Sequence, residues 1–106
     1  MSSRYSNRVL DYFKNYIELA KAVKRVVTGI DPEAEVYVFG SVTRGNYTAA
    51  SDIDILVVTK HIELKYELMV NVYKSIEAPV ELHVVTPQLF EKWYKKFIEP
   101  GELVKV

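Results

Sequence analysis

Two aspartates separated by one residue, Asp52 and Asp54, open the apolar run "DIDILVVT", which is typical of a buried β-strand. Because side chains alternate along a strand, both carboxylates are expected on one face, with Cα atoms about 7 Å apart. Neighbouring carboxylates repel each other, and a divalent cation removes that repulsion; oxygen ligands favour Mg²⁺ or Mn²⁺. Alternatively, both acids lie at an exposed strand end and cap a neighbouring helix. The spacing of these two acids alone leaves both interpretations open.

A glycine–serine pair, Gly40 and Ser41, ends the preceding strand-like run "AEVYVFG". A glycine lets the backbone approach a ligand closely, and a helical turn after it would point backbone N–H groups at a phosphate. Arg44 follows, and its fork of donors either holds a phosphate or braces the loop by pairing with a carboxylate. The order of strand, Gly-Ser, loop and Asp-x-Asp therefore predicts a phosphate-binding turn beside a metal-binding strand.

Apolar periodicity predicts the elements that position these residues. Helices are expected over residues 5–29, 62–78 and 87–99, and strands over 34–40, 52–59 and 80–86. Gly29 suits a C-terminal helix cap, and Thr86 suits the N-cap of a helix that begins with Pro87. The tail, residues 100–106, is short enough for an edge strand. This order predicts an α/β (α+β) domain with a small mixed β-sheet flanked by helices.

Two apolar sets fall at helical spacing. The helix over 62–78 carries one set on one side, composed of Ile62, Tyr66, Met69, Val70 and Tyr73. The last helix carries aromatic residues at positions 90, 93, 94 and 97, within "FEKWYKKF". Such aromatic residues either pack in the core or form a docking face for another protein.

The composition of the 106 residues narrows the class of protein. The chain fits one domain over residues 1–106, and 49% hydrophobic residues suffice for a core. Zero net charge argues against direct nucleic-acid binding, and the lack of cysteine excludes disulfides and thiolate metal sites. No apolar run matches a membrane span, and the N-terminus lacks the apolar segment of a signal peptide. We therefore expect a cytoplasmic protein with no membrane association.

The pattern of Gly40-Ser41, ten further residues and then Asp52-x-Asp54 resembles the GSx10DxD signature of the nucleotidyltransferase superfamily related to DNA polymerase β. The short chain and its element order resemble the minimal nucleotidyltransferases, the smallest members. The resemblance implies two Mg²⁺ ions, with Mn²⁺ as a substitute, and ATP as the substrate. It implies that Asp52 and Asp54 bind both ions and that Gly40 and Ser41 hold the terminal phosphates.

The same resemblance implies a third carboxylate on the next strand. Side-chain alternation places Glu81 and His83 on one face of the strand over 80–86. Glu81 is the candidate ligand, although the family usually has aspartate there, and the longer side chain can displace its oxygens from ions that must lie about 3.5–4 Å apart. The alternative for Glu81 is an exposed strand acid. His83 is a hydrogen-bond partner of that acid, a metal ligand or an ordinary strand-face histidine.

The activity that the resemblance implies is metal-dependent nucleotidyl transfer to a hydroxyl, with Asp52, Asp54 and Glu81 as the catalytic residues. Minimal members are often encoded with a small helical HEPN protein and act as antitoxins that attach AMP to a HEPN ribonuclease toxin. A protein hydroxyl is therefore the implied acceptor. The departure at Glu81 keeps a second hypothesis open: a weakly active or inactive member that binds nucleotide or a partner and neutralises the partner by occlusion.

Overall fold

A computed structural model describes residues 11–48 and 51–106 of the chain. Its strands are β1 (Glu35–Phe39), β2 (Ile53–Val58), β3 (Val80–Val85) and β4 (Val104–Lys105). Residues 11–14 are helical, and a turn at residue 15 separates them from the next helix, so the first predicted helix is interrupted there. The helices that follow are α1 (Tyr16–Ile30), α2 (Ser41–Arg44) and α3 (Lys65–Ser75), with 3₁₀ turns at Ile62–Leu64 and Pro100–Glu102. The last helical segment, α4, joins α-helical Pro87–Leu89, a π-helical turn at Phe90–Tyr94 and α-helical Lys95–Phe97. The predicted α/β architecture is confirmed, while residues 5–10 of the first predicted helix lie outside the described residues.

The strands form one mixed sheet in the order β3-β2-β1-β4. β2 and β3 are parallel and joined through α3, whereas β1 is antiparallel to both β2 and β4. The register places Phe39 opposite Asp54 and Asp54 beside Glu81. The end of β1 and the starts of β2 and β3 therefore meet at one end of the sheet, where an aromatic residue and two acids stand side by side.

The sheet has two different faces. Its helix-covered face packs against α1 and α3 and carries Val36, Val38, Ile53, Ile55, Val57, Val80, Leu82 and Val84. The opposite face, here the α4 face, buries Leu56, Val58 and Val85 under Phe90 of α4. Strand alternation assigns Asp54, Glu81 and His83 to this second face, at the end that Phe90 does not cover. The polar residues of interest thus share a face with a small apolar cluster.

The first helix ends later than predicted. α1 continues through Gly29 to Ile30, so the predicted cap at Gly29 is wrong, and the N–H of Asp31 donates to the carbonyl of Val27 instead. Asp31 is buried, and its carboxylate accepts hydrogen bonds from the hydroxyl of Thr59 and the N–H of Glu33. A contact with the residue after β2 therefore helps set the end of this helix, and no local capping glycine is needed.

The helix predicted over 62–78 is confirmed as α3 with its preceding 3₁₀ turn, but it buries Leu68 and Val72. Four residues of the apolar set predicted for this helix lie on its other side and are largely exposed. Their exposed fractions are 40% for Ile62, 78% for Tyr66, 61% for Val70 and 46% for Tyr73. We call these four residues the α3 stripe.

The cap at Thr86 and the edge strand in the tail are both confirmed. The side-chain oxygen of Thr86 accepts a hydrogen bond from the N–H of Leu89 at 3.2 Å, at the start of α4. β4 pairs with β1, and Lys24 of α1 donates to the carbonyl of Val106 at 2.8 Å. Across the described residues, no helix combines the length and the apolar character that crossing a membrane requires.

Candidate active site

Three potential ligand residues converge at the end of the α4 face. Asp54, Glu81 and His83 each offer one ligand atom, and these atoms all lie within 4.8 Å of one another. The convergence follows from the parallel register, which sets Asp54 beside Glu81, and from the two-residue period that returns His83 to the same face. Glu81 is exposed, and the side chains of Asp54 and His83 are 25% and 26% exposed. The cluster is therefore open to a solvent-borne ligand.

The ring of His83 is held between a carboxylate and two aromatic rings. Its Nε2 lies 3.2 Å from Oδ1 of Asp54, which accepts the hydrogen bond when that nitrogen carries the proton. The ring centroid lies 5.2 Å from that of Phe39 and 6.2 Å from that of Tyr94. The sequence left open a hydrogen bond between His83 and Glu81, but the structure shows Asp54 as the hydrogen-bond partner of His83.

Gly40 brings the backbone directly against Asp54. Its φ of 86° lies where residues with a side chain are strained, and a Cβ built there would lie 2.5 Å from Oδ2 of Asp54. The chain turns at this residue from β1 into α2, which begins with Ser41. The predicted glycine–serine turn is therefore present beside Asp54, and the close approach that requires glycine is an approach to this acid.

The turn is anchored to the C-terminal part of the chain. The hydroxyl of Thr43 lies 2.8 Å from the carbonyl oxygen of Gly40 and 2.9 Å from that of Glu102, so it shares one proton between them. Nη1 of Arg44 donates to Oε2 of Glu102 at 3.2 Å. Between the two roles predicted for Arg44, the structure shows the bracing ion pair. The sequence contained no signal for Glu102, which lies 58 positions from Arg44.

Asp52 stands apart from the cluster. β2 begins at Ile53, whose N–H donates to the carbonyl of Pro79 at 2.7 Å, so the strand starts one residue later than predicted. Asp52 is exposed, and within residues 11–48 and 51–106 it does not join the group of mutually close ligand atoms. The structure thus brings Asp54 and Glu81 together and leaves Asp52 just ahead of them. The ligand and catalytic roles of all three acids stay predictions.

The donor set fits a divalent cation. Two carboxylates and an imidazole come from two hydrogen-bonded strands, and oxygen and nitrogen donors of this kind bind divalent metals. In the part of the chain that the structure describes, neither Asp54 nor Glu81 forms an ion pair with a lysine or arginine. A bound cation would balance the negative charge of these two carboxylates, which no lysine or arginine of the described residues balances.

An apolar groove of about 430 Å³ lies beside the cluster. Its lining, here the aromatic groove, consists of Phe39, Leu89, Trp93, Tyr94, Phe97 and Ile98. Trp93 and Phe97 stack with centroids 5.6 Å apart and are 56% and 74% exposed, whereas Phe90 is buried. The aromatic residues of α4 therefore divide between the two predicted roles: Phe90 packs in the core, whereas Trp93 and Phe97 face solvent.

Comparison with known proteins agrees with this geometry. The family model described as "Nucleotidyltransferase domain" matches residues 10–106. A crystal structure whose nucleotidyltransferase assignment is itself provisional shares 28% identity, with a TM-score of 0.66, over 81% of this chain and 95% of the other. A second provisional nucleotidyltransferase, from Sulfolobus solfataricus, shares 29% identity, with a TM-score of 0.61, over 92% of this chain and 84% of the other.

None of the curated proteins compared with the chain matches it. The family model spans nearly the whole chain, including the glycine–serine turn and all three acids. Both similar structures also align over most of their own length. The chain therefore belongs to the nucleotidyltransferase domain family.

Proposed function

We propose that this protein is a metal-dependent nucleotidyltransferase that transfers AMP from ATP to a hydroxyl group of a protein. The observation that supports this most directly is the convergence of Asp54, Glu81 and His83 within 4.8 Å. A glycine–serine turn lies against Asp54, in a chain of the nucleotidyltransferase family. Carboxylates beside a glycine–serine turn suit a triphosphate and its counter-ions.

Each residue of the site has a proposed task. Asp54 and Glu81 hold divalent ions, Mg²⁺ or Mn²⁺, and Asp52 joins them from the segment just before β2. When bound, such ions stabilise the attacking and leaving oxygens of an in-line displacement. The hydrogen bond from His83 orients Asp54, while Gly40 and Ser41 offer backbone N–H groups to the terminal phosphates. Arg44 braces the turn through Glu102.

The proposed biological role is that of an antitoxin whose target is a HEPN ribonuclease. This role is supported by the resemblance of the Gly40-Ser41 to Asp54 pattern, and of the element order, to minimal nucleotidyltransferases. Members of that group are often paired with a small helical HEPN protein, which would present the acceptor hydroxyl, preferably of a tyrosine. The transfer forms a phosphodiester bond between this hydroxyl and the α-phosphorus, and pyrophosphate leaves.

The test is transfer of label from α-labelled ATP in the presence of Mg²⁺, with and without a HEPN protein encoded beside this chain. We expect label on the HEPN protein with the wild-type chain and none with Asp54→Asn, because the amide cannot replace the charged ligand. Glu63→Gln removes an acid that is 69% exposed and outside the cluster, and it should leave transfer unchanged. Unaltered metal-dependent ATP binding by both Asp54→Asn and Asp52→Asn would contradict the proposal.

A second function is favoured by the separation of Asp52 from the cluster and by the contact of Asp54 with His83 at 3.2 Å. On this hypothesis the protein is weakly active or inactive, binds nucleotide or a partner, and neutralises the partner by occlusion. Tight association with the HEPN protein without any transfer of label would support occlusion. Transfer that depends on Asp54 would exclude it.

A further inference from the structure

The aromatic groove begins where the acidic cluster ends. Phe39 lines the groove and is also the residue opposite Asp54 in the β1–β2 register. The centroid of its ring lies 5.2 Å from that of His83 and 5.9 Å from that of Tyr94, another groove residue. Gly40, the first residue of the proposed phosphate turn, follows Phe39 directly in the chain. The groove and the proposed phosphate site thus share a wall.

From this continuity we infer that the aromatic groove binds the base of the nucleoside triphosphate by stacking, and that it prefers purines while discriminating little between adenine and guanine. The inference deepens the proposed function and depends on it for the position of the phosphates. It concerns only which part of the substrate enters the groove and how selectively that part is bound.

The chemistry of the groove suits a planar base. Its volume of about 430 Å³ falls within the range of small-ligand sites, and none of its six lining residues carries a charge. Stacking on aromatic side chains tolerates any base, because every base has a π-face, and it strengthens with the stacked area. The indole N–H of Trp93 and the hydroxyl of Tyr94 are the side-chain polar groups of the lining. A largely apolar site cannot strongly reject a ligand of similar shape, so adenine and guanine should bind comparably.

The charge beside the groove favours a nucleotide over an apolar protein segment. Lys92 and Lys96 lie one helical turn apart and line a shallow depression together with Trp93 and Phe97. Two ammonium groups beside the stacking surface raise the local positive potential, which attracts a polyanion. An apolar helix docked there would gain nothing from this potential, whereas a nucleoside triphosphate would.

Trp93 provides a direct readout because it is the only tryptophan of the chain. Its fluorescence should be quenched when ATP or GTP binds in the presence of Mg²⁺, with similar affinities for the two nucleotides and a weaker affinity for CTP. Inorganic tripolyphosphate, which has no base, should bind without quenching and at least about fivefold more weakly than ATP. Equal affinities for ATP and tripolyphosphate, or binding of ATP without any change in Trp93 fluorescence, would overturn the inference.

A matched pair of variants completes the test. Phe97 and Tyr66 are similarly exposed, at 74% and 78%, but only Phe97 lines the groove. By calorimetry, Phe97→Ala should weaken ATP binding about fivefold or more while leaving tripolyphosphate affinity unchanged, and Tyr66→Ala should change neither. Equal effects of the two substitutions would show that the groove does not hold the base, whether or not a protein docks there.

The result also separates this inference from the proposed function. If tripolyphosphate binds with Mg²⁺ and Asp54→Asn abolishes that binding, the proposed phosphate site stands, and only the groove is in question. If the wild-type chain binds neither tripolyphosphate nor ATP in the presence of Mg²⁺, the proposed function fails, and the inference about the groove fails with it.

Discussion

The two faces of the sheet are built from the same strands but differ in burial: one face forms the core, and the other is partly open to solvent. On the helix-covered face, Val36, Ile53, Ile55 and Val57 are fully buried against α1 and α3. On the α4 face, Leu56 is equally buried, but the strand ends carry an acidic cluster and an open groove. Because strand side chains alternate, one residue of β2 serves the core and the next serves the site.

This difference shows how a small domain combines stability with an open site. The helix-covered face removes apolar surface from water along the whole length of β1, β2 and β3, and such burial is the main driving force of folding. The α4 face is covered over only part of its length, which leaves Asp54 and His83 one-quarter exposed. A rigid core behind the strands thereby holds the side chains of the cluster in place on the other side.

The largest expected effect comes from the helix-covered face. Ile55→Ala should lower the free energy of unfolding by about 2–5 kcal/mol, because it leaves a cavity among fully buried side chains. Urea denaturation measures this change, and Ile55→Val should cost only about 0.5–1.5 kcal/mol. Glu81→Gln, a substitution on the α4 face at an exposed residue, should leave stability nearly unchanged. If Glu81→Gln destabilises the protein as much as Ile55→Ala, the functional division between the faces is wrong.

A smaller effect, but a sharper test of the site, comes from the glycines that flank α2. Gly40→Ala and Gly45→Ala both place a side chain at positive φ, 86° and 70°, and each should cost about 1–3 kcal/mol of stability. Only at Gly40 would the new Cβ meet Asp54, whereas a Cβ built at Gly45 would meet no side chain of a distant residue within 4 Å. By calorimetry, Gly40→Ala should therefore weaken Mn²⁺ binding, and Gly45→Ala should not. Equal metal affinities would show that Asp54 is free to move and does not depend on the turn.

The smallest effect is expected at the other end of the α4 face, where an acid does have a cationic partner. The hydrogen bond from Lys105 to Glu35, at 2.7 Å, holds the pKa of Glu35 below its ordinary value of 4.5, although burial opposes the shift. The pKa of Lys105 is raised by the same contact. Because the pKa of Glu35 is lower in the folded state, this contribution to stability is present above pH 4.5 and is lost as the pH falls through the lowered pKa.

The substitution Lys105→Met tests this pair. Both side chains are about half exposed, so the gain in stability is small and is screened by salt. NMR titration of the Glu35 carboxyl should show its pKa returning towards 4.5 in the variant, and the stability difference from wild type should vanish at low pH. A pKa of Glu35 that is unaffected by the substitution would remove the contrast between this paired acid and the acids of the cluster.

Local residue patterns were sufficient to predict much of this protein. The candidate site was predicted from spacing along the chain, namely that of the Gly40-Ser41 pair, the acids at 52 and 54, and Glu81. Strand geometry converts such spacing into the face of the sheet on which each side chain lies. The Thr86 cap and the edge strand in the tail were predicted on the same grounds. The order of elements and the family resemblance follow from such short-range signals, because periodicity reports local conformation.

Contacts between distant residues were decided only in three dimensions. The hydrogen bond of His83 to Asp54 requires the parallel β2–β3 register, and the ion pair of Arg44 with Glu102 requires the chain to return past α2 after α4. The exposed α3 stripe shows the same limit, since periodicity defines two sides of a helix without saying which side meets the sheet. Spacing along the chain determines on which side of a helix or strand a side chain lies. Only the packing between helices and strands determines which residues that side chain contacts.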